Sequence, residues 1–114
     1  MARKIAPVLD EMIKAIDGIQ AALAGKTFTD FQSDWLLRHG VQRGIEIISE
    51  ASRHLPRDLK ARYPAIRWPA LAGIGNVLRH EYHSISDKVV WDAVGEAIEP
   101  LRLAVTAMLA DLNE

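Results

Sequence analysis

Apolar residues recur at three- and four-residue steps along most of this 114-residue chain. Ile5, Val8, Leu9, Met12, Ile16, Ile19 and Leu23 mark one face of a first helix, because a turn takes about 3.6 residues. Gly25 follows and suits a C-terminal stop, while Pro7 falls in the first turns, where a helix tolerates it. A second stripe runs Leu37, Val41, Ile45, Ile48, Ser52, Leu55 and is closed by Pro56, with Asp30 or Ser33 expected to cap its start. Residues 56–63, between Pro56 and Pro64, read as a short helical turn.

A third helix is predicted after Trp68-Pro69, with proline at its first position and Leu71, Ile74 and Leu78 turned inward. Ser86-Asp87 then caps a fourth, whose stripe is Val90, Val94, Ile98, Leu101, Val105, Met108 and Leu112, with Pro100 inside it. No alternation is long enough for a strand, and there is no repeat. The pattern predicts one all-α domain over residues 1–114, a four-helix bundle with one short additional helical turn. Trp35, Trp68 and Trp91 each fall near a predicted helix start and are expected to pack, not to stack on a ligand.

Composition changes this picture little. Hydrophobic residues make up 49% and charged residues 25%, which is globular and excludes disorder along the whole length. There is no cysteine, so disulfides, thiol nucleophiles and thiolate metal sites are excluded. No apolar run reaches a membrane span, and the start does not resemble a signal peptide, so a cytoplasmic protein with no membrane association is expected. The net charge of −1 is unevenly spread. Residues 38–83 carry eight Lys and Arg against four acids, and all four histidines. If that middle forms one face, the face attracts phosphate.

Most catalytic motifs are absent: there is no nucleophile elbow, phosphate loop or dinucleotide fingerprint. His80 and His83 are three apart, where a zinc-protease helix needs four, so no metal and no cofactor is expected. What remains is Gly75-Asn76-Val77-Leu78-Arg79-His80-Glu81-Tyr82. On a helix Asn76 and His80 share a face opposite Ile74 and Leu78, and Arg79 shares another edge with Tyr82. An imidazole that moves a proton near neutral pH, beside a guanidinium that holds a phosphate, suits phosphodiester chemistry. A solvated polar face would have the same spacing.

This segment, followed by Val90-Trp91, resembles the HepT-like toxin ribonucleases of the HEPN superfamily, which carry R-x4-6-H-x-Y, usually within R-N-x-L-x-H-x-Y. Upstream, Gly44 to Ala51 is similar to the family's L-E-I-I-G-E-A, and Arg62 to Trp68 is similar to R-Y-P-E-I-P-W. The resemblance implies an all-helical HEPN-like homodimer that cleaves RNA without a metal in a cleft shared by two protomers. It implies His80 in proton transfer, Tyr82 as the motif tyrosine and Asn76 as the polar residue beside the motif arginine. It also implies a nucleotidyltransferase antitoxin as partner, with Tyr82 as the site that partner modifies. Arg43, Glu50 and His83 are further candidates for RNA contact, with Glu50 expected to pair with His80 or a basic residue.

One departure bears on activity. Where the family has its arginine, five residues before His80, this chain has Gly75. Arg79 lies one turn further along nearly the same edge and is the candidate substitute. The alternative is a catalytically attenuated helical dimer that binds RNA or the nucleotidyltransferase. The glycine itself is expected to mark either a close backbone contact across the dimer or relaxed selection. Under the second account Gly75→Arg stabilises the helix.

Overall fold

The computed structural model describes residues 4–81 and 86–112. Among them six helices follow one another with no strand: α1 (Ile5–Leu23), α2 (Phe28–Ser33), α3 (Trp35–Ser52), α4 (Arg57–Ala61), α5 (Trp68–Glu81) and α6 (Asp87–Leu112). The fold is all-α, with four long helices and two short ones. The apolar stripes become the core. Val8, Leu9, Met12 and Ile16 of α1 are fully buried, and Val41, Ile45 and Ile48 of α3 meet them together with Val90, Val105 and Met108 of α6. Burying one such side chain contributes about 1.5–3 kcal/mol relative to leaving it in water. α3 is central: its most extensive contacts are with α1 on one flank and α5 on the other, and α6 packs on α1.

The helix ends follow local chemistry. Gly25 adopts a φ of 72° just past α1, the left-handed conformation that a glycine enters without strain. Ser86 caps α6, its Oγ accepting from the Val89 N–H at 3.1 Å. α6 continues through Pro100. The Trp68 indole N–H donates to the Lys60 and Tyr63 carbonyls at 3.0 and 3.1 Å, fastening the start of α5 to the segment after α4.

Four expectations need correction. The chain makes a second short helix, α2, whose six residues are too few to display a period. Neither Asp30 nor Ser33 caps α3. Asp30 belongs to a capping box with Thr27, in which the Thr27 N–H donates to Asp30 Oδ2 at 2.9 Å and the Asp30 N–H donates to Thr27 Oγ1 at 3.1 Å. The Thr27 backbone N–H, and after it the Thr27 hydroxyl, hold the Asp30 carboxyl below its ordinary value. α3 is capped by Asp34, whose Oδ1 accepts from the Leu37 N–H at 3.0 Å. Leu112, in the last described turn, is exposed, not core. The tryptophans also divide. Trp68 is buried and Trp91 packs on Phe28 and Phe31, but Trp35 is 63% exposed.

Candidate active site

The position of α5 is set by a polar clamp and a steric slot on α3. Ser49 Oγ donates to the Ala72 carbonyl at 3.0 Å and accepts from the Gly75 N–H at 3.1 Å. Arg53 adds two donors to the same carbonyl, Nε at 3.0 Å and Nη2 at 2.6 Å. Gly75 is pressed directly against this contact. A Cβ there would fall 2.7 Å from Ser49 Oγ, 2.8 Å from Ser49 Cβ and 3.5 Å from the Glu46 Cα. The close approach that requires glycine is therefore between α3 and α5 of one chain, not across a dimer. It also removes the expectation that Gly75→Arg stabilises the helix.

With Gly75 turned to α3, about 100° per residue fixes where the rest of α5 points. Arg79 lies about 40° from the Gly75 direction, Asn76 about 100° and His80 about 140°, so the three fan across one outer edge. All three are exposed, while Leu78 is buried on the opposite side with Ile74 partly covered. Arg79 Nη2 stands 3.5 Å from Asn76 Oδ1. Arg79 also closes one side of a 380 Å³ pocket whose other walls are Trp35, His39, Gln42, Glu46 and Leu78. A guanidinium held by an amide, beside an accessible imidazole, can take a phosphate and move a proton at an oxygen attached to it.

The remaining candidates are distributed differently. Tyr82 and His83 lie outside the described residues. Glu50 does not pair with His80; it pairs along its own helix with His54 at 3.2 Å and Arg53 at 3.8 Å. Arg43 lines a groove with Ala15, Gly18 and Ala22 of α1, and pairs along its own helix with Glu46 at 3.8 Å. The basic middle is not one open face. Arg38 pairs with Asp87 at 3.6 Å and Arg53 is engaged by Ala72. Among the described residues no three His, Asp or Glu side chains gather as a metal site. No helix among those residues is long and apolar enough to cross a membrane.

Sequence reasoning missed Ser49, Arg53 and the Trp35–His39 pair. The i, i+4 spacing of Trp35 and His39 was a usable signal for the last, since such residues meet on a helix. Ser49 and Gly75 are 26 positions apart, and only the crossing of α3 with α5 joins them.

Comparison with known proteins identifies the family of the chain. A family model described as "Ribonuclease HepT-like" matches residues 12–108. A Thermococcus cleftensis protein named provisionally as ribonuclease HepT is 33% identical over 102 residues, covering 90% of this chain and 93% of that protein. A Caldanaerobacter subterraneus protein named provisionally as an RNase is 27% identical over 103 residues, covering 90% and 92%. One from Methanocaldococcus jannaschii, named in the same way, is 26% identical over 112 residues, covering 98% and 97%. No solved structure matches the chain.

Proposed function

Because the chain belongs to the HepT-like ribonuclease family, we propose that it is a metal-independent endoribonuclease whose working edge is Asn76, Arg79 and His80 of α5. The observation that carries this reading is the placement of those side chains, exposed together on one edge with Arg79 braced against Asn76. In this reading the ribose 2′-hydroxyl attacks the adjacent phosphorus as the bond to the 5′-oxygen breaks. His80 takes the 2′-hydroxyl proton, and the leaving oxygen gains one from a second imidazole, that of a partner protomer. Arg79 stabilises the charge that develops on the phosphoryl oxygens. The products are a 2′,3′-cyclic phosphate and a 5′-hydroxyl.

The homodimer belongs to the same proposal. It is supported by an open, largely apolar groove of about 320 Å³ between α5 and α6, lined by Ile66, Ala70, Leu71, Ile74, Ala97 and Leu101. Two such faces meeting about a twofold axis would bury this apolar surface in one isologous interface, on the side of α5 away from Asn76 and His80. The protein acts as the toxin of a pair, with a nucleotidyltransferase antitoxin that modifies Tyr82. Bulk and negative charge added there would oppose RNA sterically and electrostatically. Mass spectrometry after co-expression with such a partner tests this, with the adduct expected on Tyr82 and lost in Tyr82→Phe.

The test of the reaction is cleavage of total RNA in chelator by the purified protein beside His80→Ala. Fragments ending in 2′,3′-cyclic phosphate, absent with His80→Ala, are expected. Activity restored only by a divalent ion would overturn the metal-independent mechanism. The second reading, an attenuated dimer that binds without cutting, is favoured by one observation: the slot at Gly75 leaves no room for the arginine. RNA retained on the protein with no cyclic-phosphate ends would select it.

A further inference from the structure

Trp35 is the one tryptophan that the fold does not use. It opens α3, is 63% exposed, and among the described residues its indole N–H meets no hydrogen-bond partner. Its ring is nevertheless held in place. It stacks on His39 one turn later, with centroids 4.1 Å apart and planes 29° from parallel. His39 is fixed in turn, its Nδ1 2.7 Å from the Trp35 carbonyl oxygen. A carbonyl only accepts, so Nδ1 carries the hydrogen, and Nε2 of the neutral ring is left as an acceptor. The result is a rigid aromatic plate on the wall of the 380 Å³ pocket that Arg79 closes from α5.

We propose that this pocket binds one nucleobase of the RNA, stacked on Trp35, next to the phosphate held by Arg79. The proposal rests on the ribonuclease reading of the same edge and adds to it a base subsite. Stacking on an exposed aromatic is how proteins hold single-stranded bases, since every base offers a flat face. The pocket is large enough for a planar heterocycle. Its charges orient the nucleotide. Glu46, on the inner wall, repels a phosphate, and Arg79, on the rim, attracts one, so the base points inward. Glu46 also reads the base edge. Its carboxylate only accepts hydrogen bonds, which favours the exocyclic amino groups of adenine, guanine and cytosine over uracil, whose N3–H is flanked by two carbonyl oxygens that repel a carboxylate. Gln42 beside it can donate or accept, and does not alter that preference.

The test uses the His80→Ala protein, which holds RNA without cutting it, and follows tryptophan emission as oligo(A) or oligo(U) is added. Oligo(A) is expected to quench the exposed tryptophan and to bind more tightly than oligo(U). Trp35→Leu should abolish that quenching and weaken oligo(A) binding about tenfold. Glu46→Gln should keep the quenching and erase the preference for oligo(A). Undiminished binding by Trp35→Leu would overturn the proposal, as would conversion of a dimer to a monomer by that change, which would make Trp35 a contact between copies. The two readings fail separately. A wild-type protein that shows the quenching yet leaves total RNA intact loses the nuclease and keeps the base site. One that cleaves with an unchanged KM after Trp35→Leu keeps the nuclease and loses the base site.

Discussion

α1 and α5 are held to the molecule by different means. α1 is anchored by apolar side chains, with Val8, Leu9, Met12 and Ile16 all fully buried. Among its described large side chains α5 buries only Trp68 and Leu78, and it is located instead by Ser49 and Arg53 on one backbone carbonyl and by the absence of a side chain at Gly75. The apolar contacts make the fold stable without fixing any one polar atom in space. The clamp and slot contribute less energy but set the depth and rotation of α5, and so the directions of Asn76, Arg79 and His80. Perturbing the two regions should have different consequences.

The largest effect on stability is expected from α1. Met12→Ala should lower the unfolding free energy by about 2–5 kcal/mol, seen as a lower urea midpoint, because it leaves a cavity in a packed core. Any fall in cleavage should simply follow the folded fraction. If cleavage falls in the protein that remains folded, the division between the two regions is wrong.

Gly75→Arg comes next. Forcing a Cβ into the slot should cost about 1–3 kcal/mol, read as a lower melting temperature. Ser49→Gly alone also destabilises, since it removes the hydroxyl that bridges Ala72 and Gly75. Combined, the two should cost clearly less than their sum, because removing the Ser49 side chain opens the space that residue 75 needs. Simple additivity would show that the slot is not what excludes a side chain at this position.

These contrasts explain what the sequence could reveal. Val8, Leu9, Met12 and Ile16 are legible because burial on a helix repeats with the helical turn, and the stripes of α3 and α6 are legible for the same reason. The exposed edge of Asn76 and His80 is legible as the complement of Ile74 and Leu78. The Gly75–Ser49 contact is not, because it depends on where two helices cross, which no local pattern encodes. Trp35 failed in the other direction. A tryptophan near a helix start is usually core, yet here the core behind α2 is already filled by Phe28, Phe31 and Trp91. That packing leaves Trp35 outside.

The smallest expected effect is at the α2 cap, far from the α5 edge. The Asp30 carboxyl is held below its ordinary value of 3.8, first by the Thr27 backbone bond and then by the Thr27 hydroxyl. Such a depressed group stabilises the fold fully above its unfolded value, and the contribution is lost as pH falls below 3.8 and through the folded value. Thr27→Ala should therefore reduce the acid dependence of the melting temperature below pH 3.8, while cleavage near neutrality stays unchanged. An unaltered acid profile would show that the Thr27 hydroxyl does not help to hold the Asp30 carboxyl down, since alanine keeps the backbone N–H.

The central claim is that Arg79, one turn beyond the slot that excludes an arginine at Gly75, supplies the charge at the scissile phosphate. It is tested most directly by single-turnover RNA cleavage in chelator, comparing the wild-type protein with Arg79→Leu. The account predicts a rate about 10²–10³-fold lower for Arg79→Leu, with an unchanged melting temperature because the residue lies on an exposed edge. Cleavage by Arg79→Leu at the wild-type rate would contradict it.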